Sequence, residues 1–438
     1  MRHSRRFLAL LSVTAFLLTS STLISAQAAP VKAGSSCSTL KTRVVSNFVR
    51  YECVKSGSKK VWKKIGTVKT PTATPTLTPS STEASTVDQV GIDVTNCKLQ
   101  QASSRNDVYS GWNRNPDRTP SVGKVRYAVL FVDFSDKVSG ELPEVTHSRI
   151  SPKTEQEFLE QSSGKFELEF VPLLKWLRMP SPASAYSFKT FDSHRSYIAE
   201  AVHLADPAFD FSKMDGVLVM TDPNNAPISY GPALTARRGS GVIADGKELL
   251  NGATSGTDLR FWGSRWANHE MSHNLGLADL YSYAGDTHRF VGPFSYMGLI
   301  NKRAAGLTAW ERWTLDWVTD GQVACEPNVG QAVKLNPLSG SGTRIMIVKI
   351  SSHKALAIEV RTPFGIDAGL TRSGILAYTV DTRIASGEGT IAVLPKTSLN
   401  LDAPELAFWT AGDEIGAEGR TVAIVSNSGN DYVVKVVK

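Results

Sequence analysis

One short segment constrains this chain more than any other: at 266–281 it reads WANHEMSHNLGLADLY. His269 and His273 are four residues apart, so on a helix both imidazoles project from one face. Two imidazoles placed in this way can meet one zinc ion at about 2.0–2.1 Å each. Glu270 follows the first of them and points beside the ion rather than at it. From there its carboxylate can take a proton from an attacking water and pass it to a leaving amine. Gly276 can adopt a positive φ, end the helix and turn the chain. The turn returns Asp279 as a third ligand and leaves one tetrahedral position open, as a catalytic site needs. Met271 and Leu275 would also suit an ordinary core helix. That reading gives no reason to bury two histidines and a glutamate.

The rest of the chain reads as several parts. Residues 1–28 carry a basic start (Arg2, Arg5, Arg6), a short apolar run at 7–18 and the small-x-small sequence Ala26-Gln27-Ala28. This is the pattern of a secretory signal peptide, and it predicts a secreted protein. No later run is long and apolar enough to span a bilayer, so no integral membrane segment is expected in the mature chain. Residues 29–66 form a small basic unit, 67–96 a Thr/Ser/Pro-rich linker that cannot build a core, 97–324 a zinc peptidase domain and 325–438 a β-rich domain. The apolar runs at 127–134 and 216–220 predict buried strands, and 166–170 alternates as a strand should. Helices are expected over 152–164, 196–205 and 306–317. Residues 222–262 predict irregular loops with an edge strand beside the cleft. Past Cys325, short β-branched segments separated by Gly, Asn and Ser predict a sandwich.

Four cysteines, Cys37, Cys53, Cys97 and Cys325, imply two disulfides in an oxidising compartment. Three pairings are possible; we favour Cys37–Cys53 and Cys97–Cys325. The formal charge of +7 falls to about +4 without the three signal arginines. Such a balance gives no argument for nucleic acid. Eight Lys or Arg stand against Glu52 alone between Lys41 and Lys64. That face would suit an anionic cell-envelope polymer and a cell-wall association, or simply be a solvated basic surface.

The segments VLFVDFSD (129–136), FLEQSSGKFELEF (158–170), HEMSHNLGLADLY (269–281), GLTAWERWTLDWV (306–318) and DAGLTRSGILAYTVD (367–381), together with Ser295-Tyr296-Met297-Gly298, resemble one family. They are similar to the immune inhibitor A-like secreted metallopeptidases, metzincins with an aspartate third ligand of the snapalysin kind. The resemblance covers about 127–381. It implies an α/β (α+β) metzincin-type peptidase fold, zinc-dependent endopeptidase activity on protein or peptide substrates, and frequently structural calcium. It assigns His269, His273 and Asp279 to the metal, Glu270 to the general base and Met297 to the methionine turn under the site. Two features depart from the family's pattern: Leu280 follows Asp279 where an acidic residue is common, and no long prosegment is evident.

Weaker candidates complete the reading. Tyr281 and Tyr296 are candidates to stabilise the oxyanion of a tetrahedral intermediate. His288 reads as a loop histidine outside the motif. Asp133 and Asp136 have calcium-ligand chemistry but no EF-hand spacing. Leu307, Trp310 and Trp313 form an apolar stripe that reads as core. The rival to a peptidase is an envelope-binding protein with an inactive peptidase core.

Overall fold

In the computed structural model, residues 32–37, 40, 43–46, 49–67, 93–103, 107–301 and 303–438 are described. The expected signal peptide and residues 68–92 of the expected linker lie outside them. The chain forms two compact units, Met1–Glu83 and Ala84–Lys438.

The first unit is an antiparallel meander of β1 (Arg43–Ser46), β2 (Val49–Ser56) and β3 (Lys59–Thr67). Cys53 is buried, pairs with Cys37 in a disulfide and stands opposite Trp62 in the register. So small a unit has little apolar surface to bury, and the cross-link restricts its unfolded chain instead. Lys55, Lys59, Lys60, Lys63 and Lys64 are exposed.

In the second unit, the apolar run at 127–134 belongs to β4 (Gly123–Phe134). Val125, Tyr127, Val129 and Phe131 feed one core, while Ala128, Leu130, Val132 and Phe134 feed another on the opposite face. Burial on both faces explains why the strand is apolar throughout rather than alternating. There follow α1 (Pro143–His147), α2 (Lys153–Gln161), β5 (Phe166–Met179), α3 (Phe191–Ala205), β6 (Gly216–Thr221), β7 (Ala233–Thr235), the hairpin β8 (Val242–Ala244) and β9 (Lys247–Leu249), and β10 (Asn251–Thr254). The sheet order is β5-β4-β6-β10-β7. Its strands are parallel except for β7, which runs antiparallel to β10 at the edge. Two short helical pieces complete this half, α4 (Leu259–Trp262) and α5 (Ser264–Asn274).

Helix α3 starts five residues before the predicted 196, because Thr190 and Ser193 close a capping box on its first turn. Its His194 is buried, with Nε2 2.9 Å from the Thr254 hydroxyl. Burial pushes the imidazole down to about 4. Between the unfolded value near 6.5 and 4, the unfolded chain binds the extra proton, so stability falls as pH falls through that window. We expect a loss on the order of 2–3 kcal/mol across it. His194→Gln should flatten this part of a urea-melt pH series. An unchanged slope would show that His194 is not the titrating group.

The C-terminal half begins after α6 (Ala309–Thr314). That helix is shorter than the predicted 306–317, because Thr308 and Glu311 cap it and Asp316 takes a positive φ beyond its end. Leu307, Trp310 and Trp313 are buried, as the stripe predicted. The strands are β11 (Val323–Cys325), β12 (Ala332–Leu335), β13 (Ile345–Lys349), β14 (Lys354–Arg361), β15 (Gly374–Asp381), β16 (Ile391–Val393), β17 (Glu414–Ala417), β18 (Arg420–Ser428) and β19 (Asp431–Val436). They make a five-stranded sheet, β11-β13-β14-β15-β16, and a four-stranded sheet, β12-β19-β18-β17. Met346, Leu356 and Ile358 meet Ile415, Val422 and Val434 in a core between the two sheets.

The other face of the five-stranded sheet is buried as well. Ile345, Ala357 and Tyr378 join Trp266, Met297 and Trp310 in one core. The division expected at 324/325 is therefore crossed by continuous packing, and the Cys97–Cys325 disulfide, at a sequence separation of 228, ties the two sides. Arg361 of β14 is fully buried at this junction. It donates to Glu359, to Asp367 at 2.8 Å, and to the carbonyls of Phe294, Gly306 and Leu307.

Candidate metal centre

Helix α5 is buried almost all round, so its polar side chains must find partners inside the protein. Several of them do so in a way that fixes the helix. Asn274 donates to the carbonyls of Leu234 in β7 and Gly252 in β10 and accepts from Tyr127. Asn268 donates to Glu157, and the Trp266 indole donates to Gly231. Past Asn274, Gly276 takes φ +100°, and a Cβ there would lie 2.3 Å from the Tyr109 ring. Both the turn and the close approach require glycine.

The turn brings Asp279 back over the helix. His269 Nε2 lies 3.1 Å from Asp279 Oδ1, His273 Nε2 lies 3.2 Å from the same oxygen, and the two Nε2 atoms are 3.2 Å apart. Each Nδ1 faces a carbonyl oxygen, Tyr296 at 2.9 Å for His269 and Leu277 at 2.8 Å for His273. A carbonyl only accepts, so each Nδ1 carries a hydrogen, and in the neutral rings both Nε2 lone pairs point inward. Two lone pairs and a carboxylate oxygen converging on one point suit a cation. Four ligands at about 2.0–2.1 Å in a tetrahedron stand roughly 3.3 Å apart, close to the spacings found here. These residues thus fit a zinc-sized ion.

The metal-free electrostatics agree. Burial would lower the His273 imidazole, but the neighbouring Asp279 carboxylate raises it instead. Burial would likewise raise Asp279, yet His273 and His269 hold it well below the usual carboxylate range. Glu270 is buried beside the cluster. Its carboxyl is pushed up to about 8 by burial, with the Asp279 and Asp258 charges adding and the His269 charge and the Ala233 N–H opposing.

All four groups line a cleft of about 820 Å³. Its walls include Tyr230, Pro232 and Ala233 near the edge strand, Trp262 of α4, and Gly298 to Asn301 opposite. No family model matches this chain. Nor does any curated protein. The centre is therefore read from its own geometry.

Met297 is fully buried within the core under the helix, in a turn closed by Gly298 N donating to Ser295 O. Its carbonyl accepts from Leu280 N, and the Ser295 hydroxyl accepts from its N–H and donates to Glu311. The two tyrosines separate. Tyr281 lines the cleft with its ring 6.0 Å from that of His269, and burial followed by the Asp279 charge raises its hydroxyl. The expectation for Tyr296 is corrected: it is fully buried, its hydroxyl accepts from Ser272, and it does not line the cleft. The reason is that the turn is held by that ring packing inward while its carbonyl orients His269. His288, read from sequence as an ordinary loop residue, also lines the cleft, with Nδ1 2.9 Å from Gly298 O. Asp133 faces a cation already, the Arg178 guanidinium at 2.6 Å, and Asp136 accepts from Ala183 N. Tyr283 and Ser386, both hydrogen-bonded to Asp279, carried no signal in the sequence.

Proposed function

We propose that this chain is a zinc-dependent endopeptidase, secreted and acting on peptide bonds of extracellular proteins, and related to the immune inhibitor A-like metzincins. The observation that carries the reading is the convergence of His269 Nε2, His273 Nε2 and Asp279 Oδ1, with a buried carboxylate next to them at the floor of a substrate-sized cleft. The buried methionine turn beneath the helix and the two disulfides support it. In this reading the mixed sheet with its cleft-side edge strand is the upper half of a metzincin-type domain.

Those three atoms would hold the ion. Zinc, when bound, supplies Lewis acidity that polarises the scissile carbonyl and makes a water acidic near neutral pH. Glu270 would take a proton from the attacking water as the water oxygen adds to the carbonyl carbon. As the C–N bond breaks, the same carboxyl delivers the proton to the leaving nitrogen. Tyr281, which lines the cleft, is the candidate donor to the developing oxyanion.

Metal removal tests the reading. A chelator should abolish casein hydrolysis by the full chain, and added zinc should restore it. Asp279→Ala should bring zinc content well below one ion per chain. Casein hydrolysis that survives complete metal removal would sink the proposal. Full zinc in Asp279→Ala would show that another residue supplies the third ligand.

A further inference from the structure

The third ligand is seated by a distant part of the chain. Asp279 Oδ1 faces the two imidazoles, while its other oxygen, Oδ2, points away from them. The Tyr283 hydroxyl donates to Oδ2 at 2.5 Å, and the Ser386 hydroxyl lies 3.4 Å from the same atom. The Ser386 hydroxyl also accepts from Asp279 N at 2.9 Å and lies 3.2 Å from the Tyr283 oxygen. Ser386 belongs to the loop between β15 and β16, in the C-terminal half. Its neighbour Gly387 donates to Asp279 O at 3.0 Å and accepts from Tyr283 N at 3.1 Å. Gly387 takes φ +76°, and a Cβ there would fall 2.4 Å from the Tyr283 ring, so the ring lies flat on the glycine backbone. The 279–283 segment and the 386–387 segment therefore clasp each other through both backbone and side chains.

We propose that Tyr283 and Ser386 are positioning residues for the metal, holding Asp279 as a one-oxygen ligand through Oδ1. This rests on the metallopeptidase reading. A carboxylate free to rotate could offer either oxygen or both. Here Oδ2 is committed to two hydroxyls, which leaves Oδ1 in a fixed direction. Hydrogen-bonded partners of this kind fix ligand orientation, and their loss typically costs about 10–100-fold in metal affinity. Tyr283 is 53% exposed, so removing its hydroxyl leaves no hole in the core.

The test is zinc affinity of the full chain by chelator competition, for wild type, Tyr283→Phe, Ser386→Ala and Ser386→Thr. Melting of the metal-free proteins and the visible spectrum of the cobalt-loaded forms accompany it. Tyr283→Phe and Ser386→Ala should each weaken zinc binding about 10–100-fold and perturb the cobalt spectrum. Metal-free melting of Tyr283→Phe should stay near wild type, and Ser386→Thr, which keeps a hydroxyl, should recover much of the affinity that Ser386→Ala loses. Saturating zinc should restore turnover with KM unchanged. Wild-type zinc affinity in both single variants would overturn the proposal and leave the metallopeptidase reading standing. So would a loss matched by equal metal-free destabilisation that threonine does not rescue, since that is scaffolding alone. If wild type itself takes up no zinc, the metallopeptidase reading falls and this inference with it.

Discussion

Glu270→Gln should keep one zinc per chain and lose casein hydrolysis by about 10²–10⁴-fold, the range for removing a positioned general base. The substitution preserves shape, and an amide oxygen can still accept the Ala233 N–H that now meets the carboxylate. It removes only the capacity to take up and return a proton. Because the three metal-holding atoms belong to other residues, zinc content and turnover should part company. Zinc analysis and hydrolysis measured side by side read this out directly. Turnover within a few-fold of wild type would remove Glu270 from the mechanism. Zinc in both proteins with activity in neither would favour the envelope-binding alternative, in which the peptidase core is inactive.

Arg361→Met should cost roughly 3–5 kcal/mol, as expected when one partner of a buried ion pair is removed. Arg361 and Glu359 are both fully buried. Asp367 and Glu359 hold the guanidinium above its ordinary value against burial. Without it, two buried carboxylates lose their ion-pair partner and keep only Arg312 as a neighbouring cation, and the carbonyls of Phe294 and Gly306 lose its N–H donors. Phe294 directly precedes the methionine turn and Gly306 lies between that turn and α6, so the damage should reach the core beside the candidate metal site. Thermal melting should fall by roughly 5–15 °C. Adding Glu359→Gln should recover part of the loss, because it removes one stranded charge. A melting curve within about 2 °C of wild type would mean that the network adds little.

The candidate metal centre was the most legible part of the sequence, because His269, Glu270, His273, Gly276 and Asp279 lie within eleven positions on one helix and its exit. Local rules of helix geometry and glycine conformation suffice there. The strands at 127–134 and 216–220 were legible for a similar reason: burial on both faces writes itself as an unbroken apolar run. The start of α3 was missed because its cap is a Thr–Ser pair rather than Thr–Glu. The placement of Tyr296 could not be read, since its ring and its carbonyl serve different neighbours. Nor could the continuity of packing across 324/325, because the alternation in β13, β14 and β15 does not say what covers each face. Ser386 and Gly387 sit in an unremarkable polar stretch, and only the folded chain puts them against Asp279.

The clasp on Asp279 has a consequence for the order of events during synthesis. His269, Glu270, His273 and Asp279 are all made before the hydroxyl that seats the last ligand, which follows 107 residues later. At about 5–20 residues per second, that interval is roughly 5–20 s on the ribosome. On the metallopeptidase reading, a nascent chain halted anywhere within it would carry His269, Glu270, His273 and Asp279 with the third ligand still unseated. Hydrolytic competence would then wait until the β15–β16 loop has emerged and docked.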